Sequence, residues 1–488
     1  STLINPFVEF SAGDIAFFYP SVSLGLIFSE KINIPGLSFG KLRLSYAEVG
    51  GGSPAAYSTS TPWILPLQNA GTINDVNDGW TNGIGFPYQG LAGFTYNALQ
   101  GSESLTPSMT TDIEFGADLR FFEGRLTIDA SYYTRTSDRQ IIAINVPNST
   151  GFQRKIINSG SLETNGGEIV LGITPVRTRN FDWTITANYS SWRTYVASLP
   201  EGVPNQYLDG FTGTGIYNIA PEDDETRYQF GQILGGAWQR ANSEDGKSFD
   251  ASRPYNPDVA IIIDDSGSPD PASGEYNDNY GYPLVDPVAR VIGNPNPDYL
   301  LGITSSMRYK NWGLNFLFDI KQGGDMWNGT KGAMTFFGVS ANTADRDAIL
   351  WDDNVGFVHD YENSADHTYE GIKASDGSSN DIKVPLDENW YTGNGGGFGA
   401  VAEHFVEDAS YYRLRYLTLT YDATDLIKSD FFGEVILGFT GRNLLLWTPY
   451  DGIDPESSLV GSSSNGQGLD YFQMPGVRSY AFSLRVKF

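Results

Sequence analysis

The sequence predicts an all-β fold: a transmembrane, antiparallel, up-and-down β-barrel wall of about twelve strands with long extracellular loops. The first supporting observation is that segments in which apolar and polar residues alternate recur along the whole chain. The second is that short turns join these segments in pairs, while loops of about 20 to 80 residues separate the pairs. The third is that no apolar run approaches the roughly 20 residues that a spanning helix needs, so strands would have to cross the membrane.

The predicted strands follow one another along the chain, most of them as hairpins. In residues 312–320, large apolar side chains alternate with Gly313, Asn315 and Asp319, and Tyr309 precedes the turn where an interfacial aromatic belt would lie. The apolar residues of this strand, predicted to face lipid, are Trp312, Leu314, Phe316, Phe318 and Ile320. In chain order the predicted strands lie at residues 19–28, 41–46, 113–121, 126–132, 169–173, 181–189, 228–238, 299–309, 312–320, 412–421, 435–447 and 478–488.

The last predicted strand shows the alternation most clearly. Its apolar face is bulky and carries aromatic residues at both ends, as in the girdles of outer-membrane barrels. For this strand alone, an ordinary strand of a soluble β-sandwich stays an alternative. The residues predicted to face lipid here are Tyr480, Phe482, Leu484, Val486 and Phe488.

The composition excludes several classes of function. With 58 acidic and 31 basic residues the formal net charge is -27, which argues against nucleic acid as a partner because phosphate binding needs clustered Lys and Arg. The chain has no cysteine, so disulfides, thiolate metal sites and thiol nucleophiles are excluded. Most acidic residues fall in the long polar loops, which we expect to be solvated surface loops.

No catalytic site and no cofactor are predicted. The three histidines, His359, His367 and His404, are distant from one another and lack metal-site spacing, so we expect them to be loop histidines. Weak metal candidates are Asp264, Asp265 and Asp270, which lack the glycine and the distal glutamate of a calcium loop; calcium stays an open alternative.

Motifs near the end of the chain resemble a known family. Residues 411–419 read YYRLRYLTL, residues 441–444 read GRNL, and residues 447–456 read WTPYDGIDPE. In this order they are similar to segments of the SusC-like (RagA-like) TonB-dependent transporters of Bacteroidetes outer membranes. Weaker matches upstream, such as IGNPNPD at residues 292–298, extend the resemblance over the whole chain.

The resemblance implies a larger protein. Family members carry a signal peptide, an N-terminal extension, a TonB box and a plug before a barrel of about 22 strands. We therefore expect residues 1–488 to be the C-terminal portion of the barrel, with those early parts in another chain or outside this sequence. About twelve strands cannot close such a wall.

The resemblance also implies a function: TonB-dependent import of a nutrient, an oligosaccharide or a peptide, across the outer membrane together with a SusD-like surface lipoprotein. TonB would act through the missing plug, and two importer-lid pairs would form a dimer. Loop aromatics are then candidates for ligand or lid contact, each with the alternative that it braces its own loop. They are Trp80, Phe86, Tyr88, Trp327, Phe337, Trp351, Trp390 and Tyr391.

Two other functions stay open at this stage. A secreted all-β carbohydrate-binding protein or enzyme would share the alternation, and acidic pairs such as Asp352 and Asp353 could be read as glycosidase carboxylates. A siderophore receptor would share the barrel, and no residue excludes it.

Overall fold

An eleven-stranded antiparallel sheet dominates the fold. The computed structural model describes residues 2–4, 16–51, 63–64, 95–96, 99–102, 105–152, 154–211, 213–221, 227–344, 346, 349–427, 431–461 and 465–488. Within them, each strand of this sheet pairs with the strands before and after it in the sheet's chain order, so the sheet is one continuous meander. Its strands are β1 Ser21–Ile27, β2 Leu37–Gly50, β3 Met109–Phe121, β4 Leu126–Asp138, β5 Ser161–Arg177, β6 Phe181–Ser198, β7 Tyr299–Tyr309, β8 Trp312–Gln322, β9 Tyr411–Asp422, β10 Glu434–Trp447 and β11 Ser479–Lys487.

The connections confirm the predicted asymmetry between the two rims. Short turns, such as the one at Lys310 and Asn311 between β7 and β8, lie at one rim, and the long loops lie at the other. The turn between β3 and β4 places Phe122, Glu123 and Gly124 at positive φ, a conformation that Gly adopts without a Cβ penalty. In barrels of the outer membrane, short turns are periplasmic and long loops extracellular.

The two faces of the sheet differ as the alternation predicts. In register, Phe316 lies opposite Ser305 and Leu417, and the residues predicted to face lipid within β8 and β11 share this apolar face. Phe488 follows the end of β11 and packs against Phe431 and Phe432. Many of its large side chains are exposed, with Phe482 84% and Trp312 49% accessible. A soluble protein rarely leaves so large an apolar surface uncovered, so the face suits contact with lipid.

Aromatic rings gather on the apolar face at the short-turn rim. Trp312 and Tyr421 have ring centroids 4.6 Å apart, and Phe181 and Tyr309 have centroids 6.4 Å apart. Such a belt is typical of the membrane interface, where an amphipathic ring meets both lipid and water.

One predicted strand belongs elsewhere. Of residues 228–238, the segment Gln232–Gly235 is a strand, but it pairs in a separate four-stranded sheet and not in the wall. It carries adjacent apolar residues, Ile233 and Leu234, instead of alternation, and a Cβ at Gly236 would lie only 1.7 Å from the Ala400 carbonyl oxygen. Gln232–Gly235 is therefore a buried strand of the loops, and the wall has eleven strands within the described residues, where about twelve were predicted.

The long loops form a packed layer, contrary to the expectation of solvated loops. Among the buried apolar residues of the described ranges, only Val196, Tyr411 and Val435 lie in wall strands; the others belong to loops and their short elements. We call the described parts of residues 199–298, 323–410 and 448–478 the loop layer. Its helices are α1 Gly329–Phe336 and α2 Glu388–Thr392; α3 Thr424–Ile427 lies in the short turn between β9 and β10.

Short strands tie the loops together. A three-stranded sheet of Asp325–Asn328, Val406–Asp408 and Leu469–Asp470 links both ends of the loop between β8 and β9 to the loop between β10 and β11. The other short strands are Asn205–Phe211, Thr214–Ile219, Gln232–Gly235 and Arg290–Gly293 in one sheet; Ile141–Asn145, Arg154–Asn158 and Leu99–Gln100 in another; and the pairs Thr2–Ile4 with Ala16–Phe18, Trp63–Ile64 with Thr95–Tyr96, Ile262–Ile263 with Ile372–Lys373, and Leu350–Asp352 with Gly356–Val358.

The facing assignment can be tested with neighbouring substitutions in β8. Phe316→Asp places a charge on the apolar face and should cost roughly 2 kcal/mol if that face meets lipid near mid-membrane. Asn315→Asp, on the polar face, should be tolerated. We expect the folded, heat-modifiable band of the full-length protein in outer-membrane fractions to fall only for Phe316→Asp; equal effects would contradict the assignment.

Candidate functional site

The polar face of the wall is lined by paired charges and hydroxyls. Arg43 on β2 binds Asp129 on β4 through two hydrogen bonds of 2.7 and 3.2 Å, and Arg135 binds Asp112 with its Nε at 2.7 Å. Hydroxyl pairs such as Thr164 and Thr194, 2.9 Å apart, continue this face. It therefore has the chemistry of a surface that faces water inside a barrel.

At the long-loop end of this face, a charged group of residues joins the wall to the loop layer. We call it the rim cluster: Tyr411, Arg413 and Arg415 on β9, Asp319 on β8, and Asp454 and Glu456 in the loop after β10. Arg413 Nη2 lies 2.5 Å from Asp454 Oδ1, and Arg415 Nε lies 2.7 Å from Asp319 Oδ2.

Glu456 and Tyr411 complete the rim cluster. The Glu456 carboxylate accepts from Arg415 Nη1 at 2.6 Å and from the Tyr411 hydroxyl at 2.9 Å. Burial raises the pKa of Glu456, but hydrogen bonds from Arg415 and its positive charge lower it by more, so the net pKa lies below its usual value. Both guanidinium groups also lie over the Tyr411 ring, at 5.3 and 5.6 Å from its centroid.

Three of the predicted loop aromatics are buried. Trp327 is 1% exposed and packs with Leu469 and Phe405, while Trp390 and Tyr391 are 7% and 9% exposed in a second apolar cluster. The Trp390 ring stacks on Tyr282 with centroids 4.8 Å apart. This packing favours the alternative that these three rings brace their own loops.

Two predicted aromatics are free to contact other molecules. Phe337 is 64% exposed beside Phe398, and Trp351 is 66% exposed against Phe357 with centroids 5.0 Å apart. Their assignment to ligand or lid contact stays a prediction. Trp80, Phe86 and Tyr88 lie outside the described residues.

His359 lies in a loop, as expected, but it has a defined structural role that the sequence did not reveal. It is buried, and its Nδ1 lies 2.8 Å from an Asp387 carboxylate oxygen. Asp387 is also the N-cap of α2, accepting from the Trp390 amide at 3.0 Å. The contact between His359 and Asp387 therefore joins α2 to the short strand Gly356–Val358, which ends next to His359.

The aspartates considered for calcium accept backbone hydrogen bonds, those of Asp264 and Asp270 within turns and that of Asp265 from a distant loop. Asp264 accepts from the Ser266 amide at 3.0 Å, Asp265 from the Ser375 amide at 2.9 Å, and Asp270 from the Ala272 amide at 2.9 Å. Among the described residues, no group of three or more His, Cys, Asp or Glu side chains is arranged to hold a metal ion.

Two cavities open within the loop layer. The larger, of about 760 Å³, lies between the four-stranded sheet and residues 251–257, with Arg253, Tyr255 and Tyr228 among its lining residues. The smaller, of about 380 Å³, lies next to the wall and is lined by Gln140, Gln206 and Tyr207 among others. Both volumes fall within the range that suits small ligands.

Several known proteins resemble this chain in sequence and in fold. No protein-family model matches the chain. The TonB-dependent receptor P26 of Formosa agariphila is 26% identical over 487 residues, which span 96% of this chain and 42% of that protein. The TonB-dependent receptor SusC of Bacteroides thetaiotaomicron is 24% identical over 397 residues, 79% of this chain and 32% of SusC.

A solved structure agrees on the fold. The RagAB peptide transporter superposes with a TM-score of 0.61 and 17% identity, covering 98% of this chain and 44% of the matched chain. The chain is similar to TonB-dependent receptors that include SusC. It has the fold of an outer-membrane β-barrel wall, and it spans about two fifths of the length of the TonB-dependent receptor P26.

Two further observations concern the chain. Its described helices are all too short or too polar to cross a membrane. The relatives bear the names of receptors and transporters, which fits the expectation that the protein is not an enzyme.

The rim cluster gives a first prediction for the loops. Arg413 and Asp454 have side chains only 5% and 12% exposed, so Arg413→Ala would leave a buried carboxylate unpaired and should cost about 3 kcal/mol. Residues 448–478 of the full-length protein should then become sensitive to protease. The exposed pair of Arg485 and Glu434 is the matched control, since Arg485→Ala should cost at most about 1 kcal/mol. Equal protease sensitivity in both variants would contradict a role of the rim cluster in holding this loop.

The rim cluster also predicts a dependence on pH. Because the folded-state pKa of Glu456 is lowered, its contribution to stability is present above its unfolded value of about 4.5 and is lost as pH falls through the folded pKa. The thermal midpoint of the wild type should thus fall more steeply than that of Glu456→Gln below about pH 4.5. Parallel curves for the two proteins would contradict this.

Proposed function

We infer that the full-length protein imports a nutrient across the outer membrane in a TonB-dependent way. One observation carries this inference. The chain that forms the eleven-stranded wall, with its polar inner face and packed loop layer, aligns over 96% of its length with a TonB-dependent receptor. The remaining part of the longer protein would supply the other strands and the plug on which TonB acts.

A SusD-like surface lipoprotein is the proposed partner. Its support is the similarity to SusC and to RagAB, whose importer has been solved in "open-open" and "closed-closed" states. The exposed rings of Phe337 and Trp351 are the described aromatics best placed for contact with such a lid or with cargo. The proposed assembly is a dimer of importer-lid pairs.

The proposed cargo is an oligosaccharide or a peptide. Polar hydrogen-bonding groups on the inner face and aromatic side chains in the loop layer can bind either class, since each presents both apolar surface and hydrogen-bonding groups. No cofactor is proposed; at Asp264, Asp265 and Asp270 calcium would compete with the backbone amides that these carboxylates bind.

Uptake measurements in the native host test the import function. Deleting the gene should abolish uptake of the nutrient, and complementation should restore it only in cells with functional TonB and an energised inner membrane. A protonophore should have the same effect as loss of TonB, whereas binding by the purified protein should persist. Uptake that continues without TonB would indicate a passive pore and overturn the inference.

A further inference from the structure

We propose that the smaller cavity is a subsite for a neutral saccharide; this rests on the import function inferred above and names its cargo class. The cavity of about 380 Å³ lies at the long-loop end of the wall. Three elements surround it: the hairpin of Ile141–Asn145 and Arg154–Asn158, the ends of β5 and β6, and the edge of the four-stranded sheet. It can hold a short segment of a sugar chain.

The cavity lies on the inner side of the wall. Leu162 and Ser198 line it, and by alternation they share the face of Thr164 and Thr194, whose hydroxyls are hydrogen-bonded on the polar face. Its position is therefore on the water-filled side of a barrel, where imported cargo would pass, and not on the lipid side.

The lining is polar but almost uncharged. Residues with amide or hydroxyl side chains line it, among them Gln140, Ser159, Gln206 and Asn218, and Arg154 is the only charged residue among the lining residues that the structure describes. None of these described residues carries a carboxylate, although the chain has 58 acidic residues. Amide groups both donate and accept hydrogen bonds, and so do sugar hydroxyls, which makes this lining complementary to a neutral saccharide.

Part of the lining is fixed in place. Asn218 is 4% exposed; its Nδ2 donates to Gln206 Oε1 at 3.1 Å, and its Oδ1 accepts from the Gly231 amide at 3.0 Å. This arrangement orients the Gln206 amide and leaves its Nε2 available to a ligand. The Gln140 side chain makes no hydrogen bond within the described part of the chain, so it can serve a ligand without giving up a partner.

Tyr207 supplies an aromatic surface at the cavity. It is 52% exposed, and its ring meets the edge of Tyr217 with centroids 5.3 Å apart. A Cβ at Gly210 or Gly215 would lie 3.0 or 3.3 Å from Tyr207 Cε2, so these two glycines let the ring lie close to the hairpin. Aromatic faces pack against the apolar faces of sugars, while hydroxyls at the ring edges bind polar groups nearby.

An extended peptide is the competing occupant, because Asn205–Phe211 is an edge strand. A bulge between Tyr207 and Asp209 interrupts its register, and the Asp209 carboxylate accepts from the Gly210 amide at 2.9 Å. Bulges hinder regular strand addition at an edge. In addition, no lining residue within the described ranges offers a carboxylate to a peptide amino terminus. Both points favour the saccharide.

The test measures calorimetric binding to the full-length protein in mild detergent. The probes are maltohexaose, cellohexaose, xylohexaose, hexagalacturonate and a hexapeptide of Gly, Ala and Ser. We expect a neutral hexasaccharide to bind, and Tyr207→Ala to weaken it about tenfold through loss of the aromatic contact. Tyr207→Phe should retain wild-type affinity, since the hydroxyl has no partner among the described residues. Gln140→Ala should weaken binding severalfold.

Tyr309→Ala is the matched control, because Tyr309 is 54% exposed at the opposite rim and should leave affinity unchanged. Neutral sugar binding that survives Tyr207→Ala would overturn the site. Binding only of hexagalacturonate or the hexapeptide, or of no probe, would overturn the cargo class. In each case TonB-dependent uptake in cells, measured separately, shows whether the import function itself still stands.

Discussion

The structure depends on a single constraint: every strand of the wall must present apolar side chains to one side and polar side chains to the other. Hydrogen bonds between neighbouring strands satisfy the backbone, which lets strands cross a medium without water. The wall therefore has no apolar interior of its own. Most of the described buried core lies in the loop layer instead, where Trp327, Trp390 and Tyr282 pack much as they would in a soluble domain.

The wall was predictable from the sequence because its signal is local. Alternation of period two shows in each strand without knowledge of its neighbours, as in β8 and β11, and the turn at Glu123 and Gly124 shows through its residue types. The segment at residues 228–238 was misplaced because a run of apolar residues identifies a strand but not the sheet in which it pairs.

The loop layer was not predictable, because its contacts are between distant parts of the chain. Trp327 pairs with Leu469, 142 residues later, and neither residue lies in an alternating segment. More of the rim cluster could be predicted from the sequence. Its two arginines lie in the YYRLRYLTL motif, and two of its three acids, Asp454 and Glu456, lie in the WTPYDGIDPE motif. Opposite charges in these two motifs were a signal that the motifs meet.

The three-stranded sheet of Asp325–Asn328, Val406–Asp408 and Leu469–Asp470 has a consequence for motion. Through backbone hydrogen bonds, it pairs the beginning of the loop between β8 and β9 with the end of the same loop and with the loop between β10 and β11. These loops cannot swing as separate flaps without breaking backbone pairing. Any movement of these two loops is therefore expected to be that of one rigid block, in which the loops move together.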